Sequence, residues 1–219
     1  MRFKLKLILK IITLFLIPLI YEYIGINYGG PIGIRYYYNP SFKPQIFGLP
    51  ILVWLFWAIF IITSYNLSNS MLINIFNKDY NLFLKDGLNF ILISLFDGFI
   101  VTIFDLFIDP IAVKFGLWRW ENFKFSYFGV PIGNFIGWFI IAVSTTFILR
   151  IIDYFIPSKL NLKLLRFTPF IYLSFIFILF LSSTILFDLE LSLMCLLISS
   201  PVNLLSIYLI KMNLSKKYL

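Results

Sequence analysis

Six runs of about 20 residues pass through this chain almost without charge, and that pattern limits the fold more than any other feature. They are roughly Leu5–Tyr21, Ile46–Tyr65, Leu88–Ile108, Ile132–Ile152, Phe167–Leu186 and Leu189–Ile210. Each is close to the length needed to cross the hydrocarbon core of a bilayer as a helix. A chain in lipid must satisfy its own backbone hydrogen bonds, which leaves helices or a closed barrel. Barrel strands alternate polar and apolar residues, and these runs do not. Only 13% of the residues are charged and the mean hydropathy is +0.94, whereas soluble domains carry roughly a quarter charged residues. Such a chain cannot cover a water-facing surface. The expectation is an all-α, polytopic bundle of about six spans, with residues 1–219 forming one membrane domain.

Charge then sets an orientation. With the N-terminus inside, inner segments hold Arg2, Lys4, Lys6, Lys10, Lys78, Lys85, Arg150, Lys159, Lys163, Arg166, Lys211, Lys216 and Lys217. Outer segments hold only Arg35, Lys43, Lys114, Arg119 and Lys124. The excess of inner cations predicts both termini in the cytoplasm and a multi-pass protein of the cell membrane. It also accounts for the net charge of +8 without a nucleic-acid partner, since no water-exposed basic module is present. The basic start is followed by bulky Pro18-Leu-Ile-Tyr-Glu22 rather than a small-residue cleavage site, so a retained first span is expected instead of a signal peptide. Histidine is absent, which removes His-based triads, metal sites and haem ligation. The single cysteine, Cys195, can form neither an internal disulfide nor a cysteine zinc site, and it reads as a packing residue. Proton chemistry falls to Asp, Glu, Tyr, Lys or water.

The polar residues that remain are concentrated in two stretches, Asp105–Trp138 and Glu22–Trp57. In the predicted topology their loops, Glu22–Phe47 and Asp109–Phe128, share the outer face. They are rich in Tyr, Trp, Phe, Gly and Pro, and are expected to fold back and cap the bundle. Phe47-Gly-Leu-Pro-Ile51 recurs as Phe128-Gly-Val-Pro-Ile132, and each proline is followed seven residues later by tryptophan, Trp57 or Trp138. Pro50 and Pro131 fall where a helix begins. Two helix–loop–helix units in the same direction would be a parallel repeat. On the inner side, Asn66–Gly87 reads as a loop whose apolar part, Met71–Phe76, lies along the membrane surface.

Asp105 and Asp109 are about 40° apart on a helix and share a face, with Asp97 nearly two turns deeper. Acids at membrane depth should face the bundle interior. Two roles are open to them: chemistry, or pairing with Arg119, Lys114 or Arg35, with Asp109-Pro110 capping a helix end. Glu22 is either an interfacial anchor or a carboxylate facing the two aspartates. Trp118, Trp120, Tyr36, Tyr37, Tyr38 and Tyr127 are either an interfacial belt or rings that stabilise positive charge. Arg119 can stack between its two tryptophans or hold a carboxylate. Asn134 can position water or bridge helices, and Gly133 and Gly137 are spaced for close helix packing.

The linked pattern Asp109-Pro110-x-Ala112-x-x-x-Gly116-x-Trp118-x-Trp120, then Tyr127-Phe-Gly-Val-Pro131-x-x-Asn134-Phe135-x-Gly137-Trp138, resembles the membrane carotenoid hydratases. These include the bisanhydrobacterioruberin hydratase type and the related monocyclic carotene hydratases. The first half is similar as well, in Glu22-Tyr-Ile-Gly25, Tyr28-Gly29, Gly33, Tyr36-Tyr-Tyr38, Gly48-Leu-Pro50 and Trp54 or Trp57. The likeness covers roughly residues 20–140. It implies a carotenoid biosynthesis enzyme, a hydro-lyase that adds water across a terminal C=C of a carotenoid, with no cofactor and no metal. The residues suit that chemistry. A dry carboxylic acid keeps its proton near neutrality and can protonate the alkene. Aromatic faces stabilise the tertiary carbocation. A second carboxylate or Asn134 directs water. The expected catalytic set is Glu22, Asp105, Asp109 and Asn134, with Asp109 or Asp105 as acid and Glu22 as base or water holder. The expected substrate-binding set is Tyr36, Trp118, Arg119, Trp120, Tyr127 and Trp138. Three other classes compete. They are an intramembrane prenyltransferase using Asp105 and Asp109 to hold Mg²⁺, a carotenoid end-group cyclase that excludes water, and a non-catalytic membrane scaffold or transporter.

Overall fold

The computed structural model describes residues 2–30, 34–75, 80–83, 87–121, 124–157 and 160–215. Six long helices carry the fold: α1 (Arg2–Tyr28), α2 (Ile51–Asn74), α4 (Gly87–Lys114), α5 (Ile132–Phe155), α6 (Leu162–Leu186) and α7 (Leu189–Ser215). A four-residue helix, α3 (Tyr80–Phe83), lies between α2 and α4. All six long helices are long and apolar enough to cross a membrane, which makes this a multi-pass membrane protein of the all-α class.

Short strands lie between the helices at one end of the bundle. They are β1 (Tyr36–Tyr38), β2 (Gln45–Ile46) and β3 (Leu49–Pro50) before α2, and β4 (Trp118–Trp120), β5 (Ser126–Tyr127) and β6 (Val130–Pro131) before α5. β2–β3 and β5–β6 are hairpins with two-residue turns, Phe47-Gly48 and Phe128-Gly129. Both residues of each turn have positive φ: 54° and 78° in the first, 47° and 83° in the second. That is the backbone of a type I′ hairpin turn, in which glycine supplies one left-handed residue without strain. A phenylalanine in the left-handed region is costly, so its presence in both turns marks them as the same device. Pro50 and Pro131 cap the following helices at φ −65° and −59°.

The repeat in the sequence is therefore a repeat in structure. Each unit runs helix, strand, hairpin, helix. β1 and β4 join the units as an antiparallel pair centred on Tyr37 and Arg119. The helices exchange partners in the same reciprocal way: α1 packs on α5 and α2 on α4. Trp57 and Trp138, at matching places in the two units, stack with ring centroids 4.1 Å apart. The hairpin of α6 and α7 packs on α2 and α4. Close approach of α4 to α5 depends on Gly98, where a Cβ would lie 2.5 Å from Val143 Cγ2 and 2.9 Å from Phe139 Cδ2.

Helix ends differ from the sequence expectation in informative ways. The second span starts at Ile51 rather than Ile46, because Ile46–Leu49 is spent on the hairpin. It then runs on to Asn74, so Met71–Asn74 belong to a spanning helix and not to a surface-lying loop. Its polar end is buried, with Ser68, Asn69 and Ser70 fully inaccessible. Residues 76–79 and 84–86 of that predicted loop lie outside the described residues, as does Gly33. The third span continues through Pro110 to Lys114, which places Asp109 inside the helix rather than at its cap. Proline has no N–H for the carbonyl four residues back. The Leu106 carbonyl left free in this way accepts a hydrogen bond from the Cys195 thiol, at 3.3 Å.

At the end opposite the hairpins the bundle is pinned by charge. Lys6 and Lys10 lie 2.7 and 2.6 Å from Asp153. Tyr65 and Tyr80 donate to the same carboxylate. Arg150 pairs with Asp97 at 2.5 Å, both fully buried, and donates to Ser68 Oγ at 2.9 Å. This network ties α1 to α5 together. Removing one member of a buried pair leaves an uncompensated charge, at a cost of about 3–5 kcal/mol, whereas removing both can be close to neutral. Arg150→Met or Asp97→Leu alone should lower the unfolding temperature of the purified protein sharply. The double substitution should recover much of the loss. Equal losses in single and double variants would show that the pair is not the pin.

Candidate functional site

A recess opens at the hairpin end, where α1 meets α5. Its cavity volume is about 60 Å³. Glu22 and Asp109 both line it, together with Tyr36, Tyr38, Trp118, Trp120, Asn134 and Trp138. Glu22 and Asp109 are 4% and 1% exposed, and Asp105 is inaccessible. These acids therefore sit inside the protein beside the tryptophans, and neither lipid nor open solvent surrounds them.

The β1–β4 ribbon brings the aromatic groups in. Side chains alternate across a strand. Tyr36 and Tyr38 on β1 and Trp118 and Trp120 on β4 turn toward the recess, while Tyr37 and Arg119 turn outward and are exposed. Tyr37 donates to Glu121 at 2.5 Å on that outer side. The inward rings pack edge to face: Tyr36 on Tyr38 at 5.6 Å and Tyr38 on Trp118 at 5.7 Å.

Three donors converge on Glu22. Tyr36 donates to Oε2 at 2.5 Å, Tyr38 to the same oxygen at 2.7 Å, and Trp57 Nε1–H to Oε1 at 2.8 Å. Gly25, one turn along α1, lets the Tyr36 phenol lie over the helix. A Cβ there would be 2.5 Å from its ring and 2.6 Å from its hydroxyl. The carboxylate thus accepts from two phenols and an indole, with a Trp–Trp stack beneath it.

The two aspartates form a second centre. The Asn134 amide donates to Asp105 Oδ2 at 3.1 Å and also to Asp109 Oδ2. The two carboxyls are within hydrogen-bonding reach of each other. Asp109 faces the recess and Asp105 stands behind it, with Oδ1 unpartnered. Neither forms an ion pair among the described residues, so the expected partners Arg119, Lys114 and Arg35 do not neutralise them. Among the described residues no three Asp, Glu or Cys side chains are grouped closely enough to hold a metal ion.

The structure gathers Glu22, Asp105, Asp109, Asn134, Tyr36, Trp118, Trp120 and Trp138 at one place. It puts two of the sequence candidates elsewhere. Arg119 is on the outward face of β4. Tyr127 lies against Phe128 and Phe135 and shares a hydrogen bond with Cys195 at 3.1 Å, away from the recess lining. Two residues join the site beyond the expected catalytic and substrate-binding sets, one of them, Tyr38, already among the rings that could stabilise positive charge. Tyr38 was readable from the alternation in Tyr36-Tyr-Tyr38. Trp57 was readable from its place seven residues after the repeated proline, although nothing local in the sequence connects it to Glu22.

The phenols of Tyr36 and Tyr38 titrate well above the ordinary 10.0 of tyrosine, first because burial disfavours the phenolate and then because Glu22 lies beside them. A proton held more tightly in the folded state gives stability that is complete below the unfolded value and is lost as pH rises past it. The unfolding temperature should therefore fall as pH rises above about 10, and Tyr36→Phe and Tyr38→Phe should make that fall shallower. An unchanged slope in both variants would show that these phenols ionise as freely as exposed ones.

A family model described as "Carotenoid biosynthesis protein" matches residues 2–199. No curated protein and no solved structure matches the chain.

Proposed function

Because the chain belongs to the carotenoid biosynthesis protein family, we propose that the recess is an active site that adds water to a terminal C=C of a carotenoid. The observation that carries this reading is the pairing of two unlike acid centres across one aromatic recess. One is an aspartate pair joined through Asn134, and the other is a carboxylate saturated by neutral donors.

Two carboxyls this close cannot both ionise, so the buried pair starts with both carboxyls protonated and keeps one proton after it has acted as an acid. Asp109 faces the recess and delivers the first proton, and the single charge left behind is shared with Asp105. The proton goes to the CH carbon of an isopropylidene end, and the π electrons form the new C–H bond. Positive charge develops on the tertiary carbon, beside the faces of Trp118, Trp120 and Trp138. Glu22 takes part as acceptor. In this reading it acts as a carboxylate, which stabilises the cation and removes a proton from the attacking water. The C–O bond forms and a tertiary alcohol results. The aspartate pair has lost one proton and Glu22 has gained one, and exchange with water at the helix ends resets both. The excess of basic residues on the other side of the predicted topology supports a site at the outer face of the cell membrane, with both termini cytoplasmic.

A cyclase would begin with the same protonation and end without the added oxygen. The product distinguishes the two. Expression in cells that make acyclic C40 or C50 carotenoids should give pigment heavier by one water at each reacted end. Asp109→Asn and Glu22→Gln should each reduce its formation by about 100-fold or more while the protein stays folded. Product of unchanged mass from the parent protein would point to cyclisation. Full hydration by both variants would rule out these roles.

A further inference from the structure

Matched against each other, the two units differ at the positions that surround the recess. Gly29 and Gly116 end the first helix of each unit in the left-handed conformation. Counting back from them, Glu22 corresponds to Asp109 and Gly25 to Ala112. Counting forward from Pro50 and Pro131, Leu52 corresponds to Gly133, Val53 to Asn134, Phe56 to Gly137 and Trp57 to Trp138. So the α1–α5 seam is bordered by Gly25, Gly133 and Gly137, whereas the equivalent α4–α2 seam has Ala112, Leu52 and Phe56. The hairpin of α6 and α7 also packs on α2 and α4. In lipid, small residues usually let helices close on each other. Here the three glycines border an open recess. The partly exposed members of its lining include Tyr21 on α1, Gly133 and Asn134 on α5, and Gly30, Ile34 and Trp120 at the ribbon end, so it reaches the surface along the α1–α5 seam as well as beside the ribbon.

We infer that the α1–α5 seam is a lateral slot for a long, slender apolar chain, which enters from the bilayer and lies against Gly133 and Gly137 with its end between Glu22 and Asp109. This rests on the proposed reading for the identity of the chain as a polyene. The counterpart seam does not serve, so each protein molecule handles one chain end at a time. The occupant has to be slender and apolar. The walls of the slot are glycine backbone, Ile141, Val53 and indole faces, which give area for contact but few polar anchors below the level of the acids.

The test uses the full-length protein in lipid nanodiscs loaded with lycopene, an acyclic C40 carotene, and measures pigment retained per folded protein by absorbance. Gly133→Leu with Gly137→Phe, which installs the first unit's residues, should lower retained pigment by about ten-fold or more. A second route avoids any folding defect. Gly133→Cys is folded first and then alkylated with a bulky maleimide; pigment should be lost on labelling. The same label on Leu52→Cys, at the counterpart position, should leave pigment in place. Retention of pigment after labelling at position 133, or equal loss on labelling at 52, would overturn the slot. Pigment that is lost on labelling at 133 alone, in a protein that never forms a hydrated product, would uphold the slot and refute hydration.

Discussion

Three carboxyl groups lie buried at one end of this bundle with no cation beside them among the described residues, and the surrounding structure is arranged to make that tolerable. An unpaired buried charge is expensive unless hydrogen bonds replace water. Here the replacements are all neutral: two phenols and an indole on Glu22, and one amide shared by Asp105 and Asp109. The opposite end of the bundle meets the same difficulty with cations, using Lys6 and Lys10 on Asp153 and Arg150 on Asp97. The difference has chemical meaning. A carboxylate clamped by a guanidinium is held as an anion and is a poor source of protons. A carboxyl held by neutral donors, or by a second carboxyl, can give or take one. The charged end is suited to holding helices together, and the neutral end to moving a proton.

A duplicated frame explains how such a site is assembled from a chain with so few polar residues. Each unit supplies one acid to the recess, at the same distance before a left-handed glycine, and one tryptophan to the central stack. What breaks the symmetry is substitution at matched positions. Asn134 stands where the first unit has Val53, and Asp105 stands where it has Pro18. Those two changes turn one half into a coupled acid pair and leave the other as a lone carboxylate. Two acids in unlike surroundings are what an acid–base division of labour needs.

Much of this was readable in the sequence, for physical reasons that can be named. Hydropathy gave the six helices because lipid allows little else. The repeated Phe-Gly-Leu/Val-Pro-Ile gave two equivalent hairpins, and the alternation in Tyr36–Tyr38 and Trp118–Trp120 carries the inward and outward faces of the ribbon. The same alternation assigns Arg119 to the outside, which a reading of Trp-Arg-Trp as a cluster overlooks. Helix ends were less legible. Polar runs such as Ser68-Asn-Ser70 look like a loop until tertiary packing buries them, and Asp109-Pro110 looks like a cap until Cys195 satisfies the carbonyl that the proline leaves free. The charged network at the end opposite the hairpins was hidden for a related reason. Arg150 and Lys10 count as interfacial cations in a topology estimate, and only the packed bundle shows that they point inward to Asp97 and Asp153.

Depth is the remaining constraint on the chemistry. Glu22 lies six residues before the end of α1 and Asp109 five before the end of α4, or about 9 and 7.5 Å along their helices at 1.5 Å per residue. The hydrocarbon core of a bilayer is about 30 Å thick, with polar layers that bring the whole to about 40–45 Å. Acids placed at mid-membrane would meet the substrate but no water, and acids in the headgroup layer would meet water and ionise. One to two turns below the helix ends, under a ribbon of phenols and indoles, both requirements are met. Under the proposed reading, the aspartate pair is dry enough there to hold its protons, and the open side of the recess is near enough to the interface for a water molecule to follow the alkene in. A newly formed hydroxyl would then already lie close to headgroup level, where an amphiphilic product is more stable than in the slot it came from.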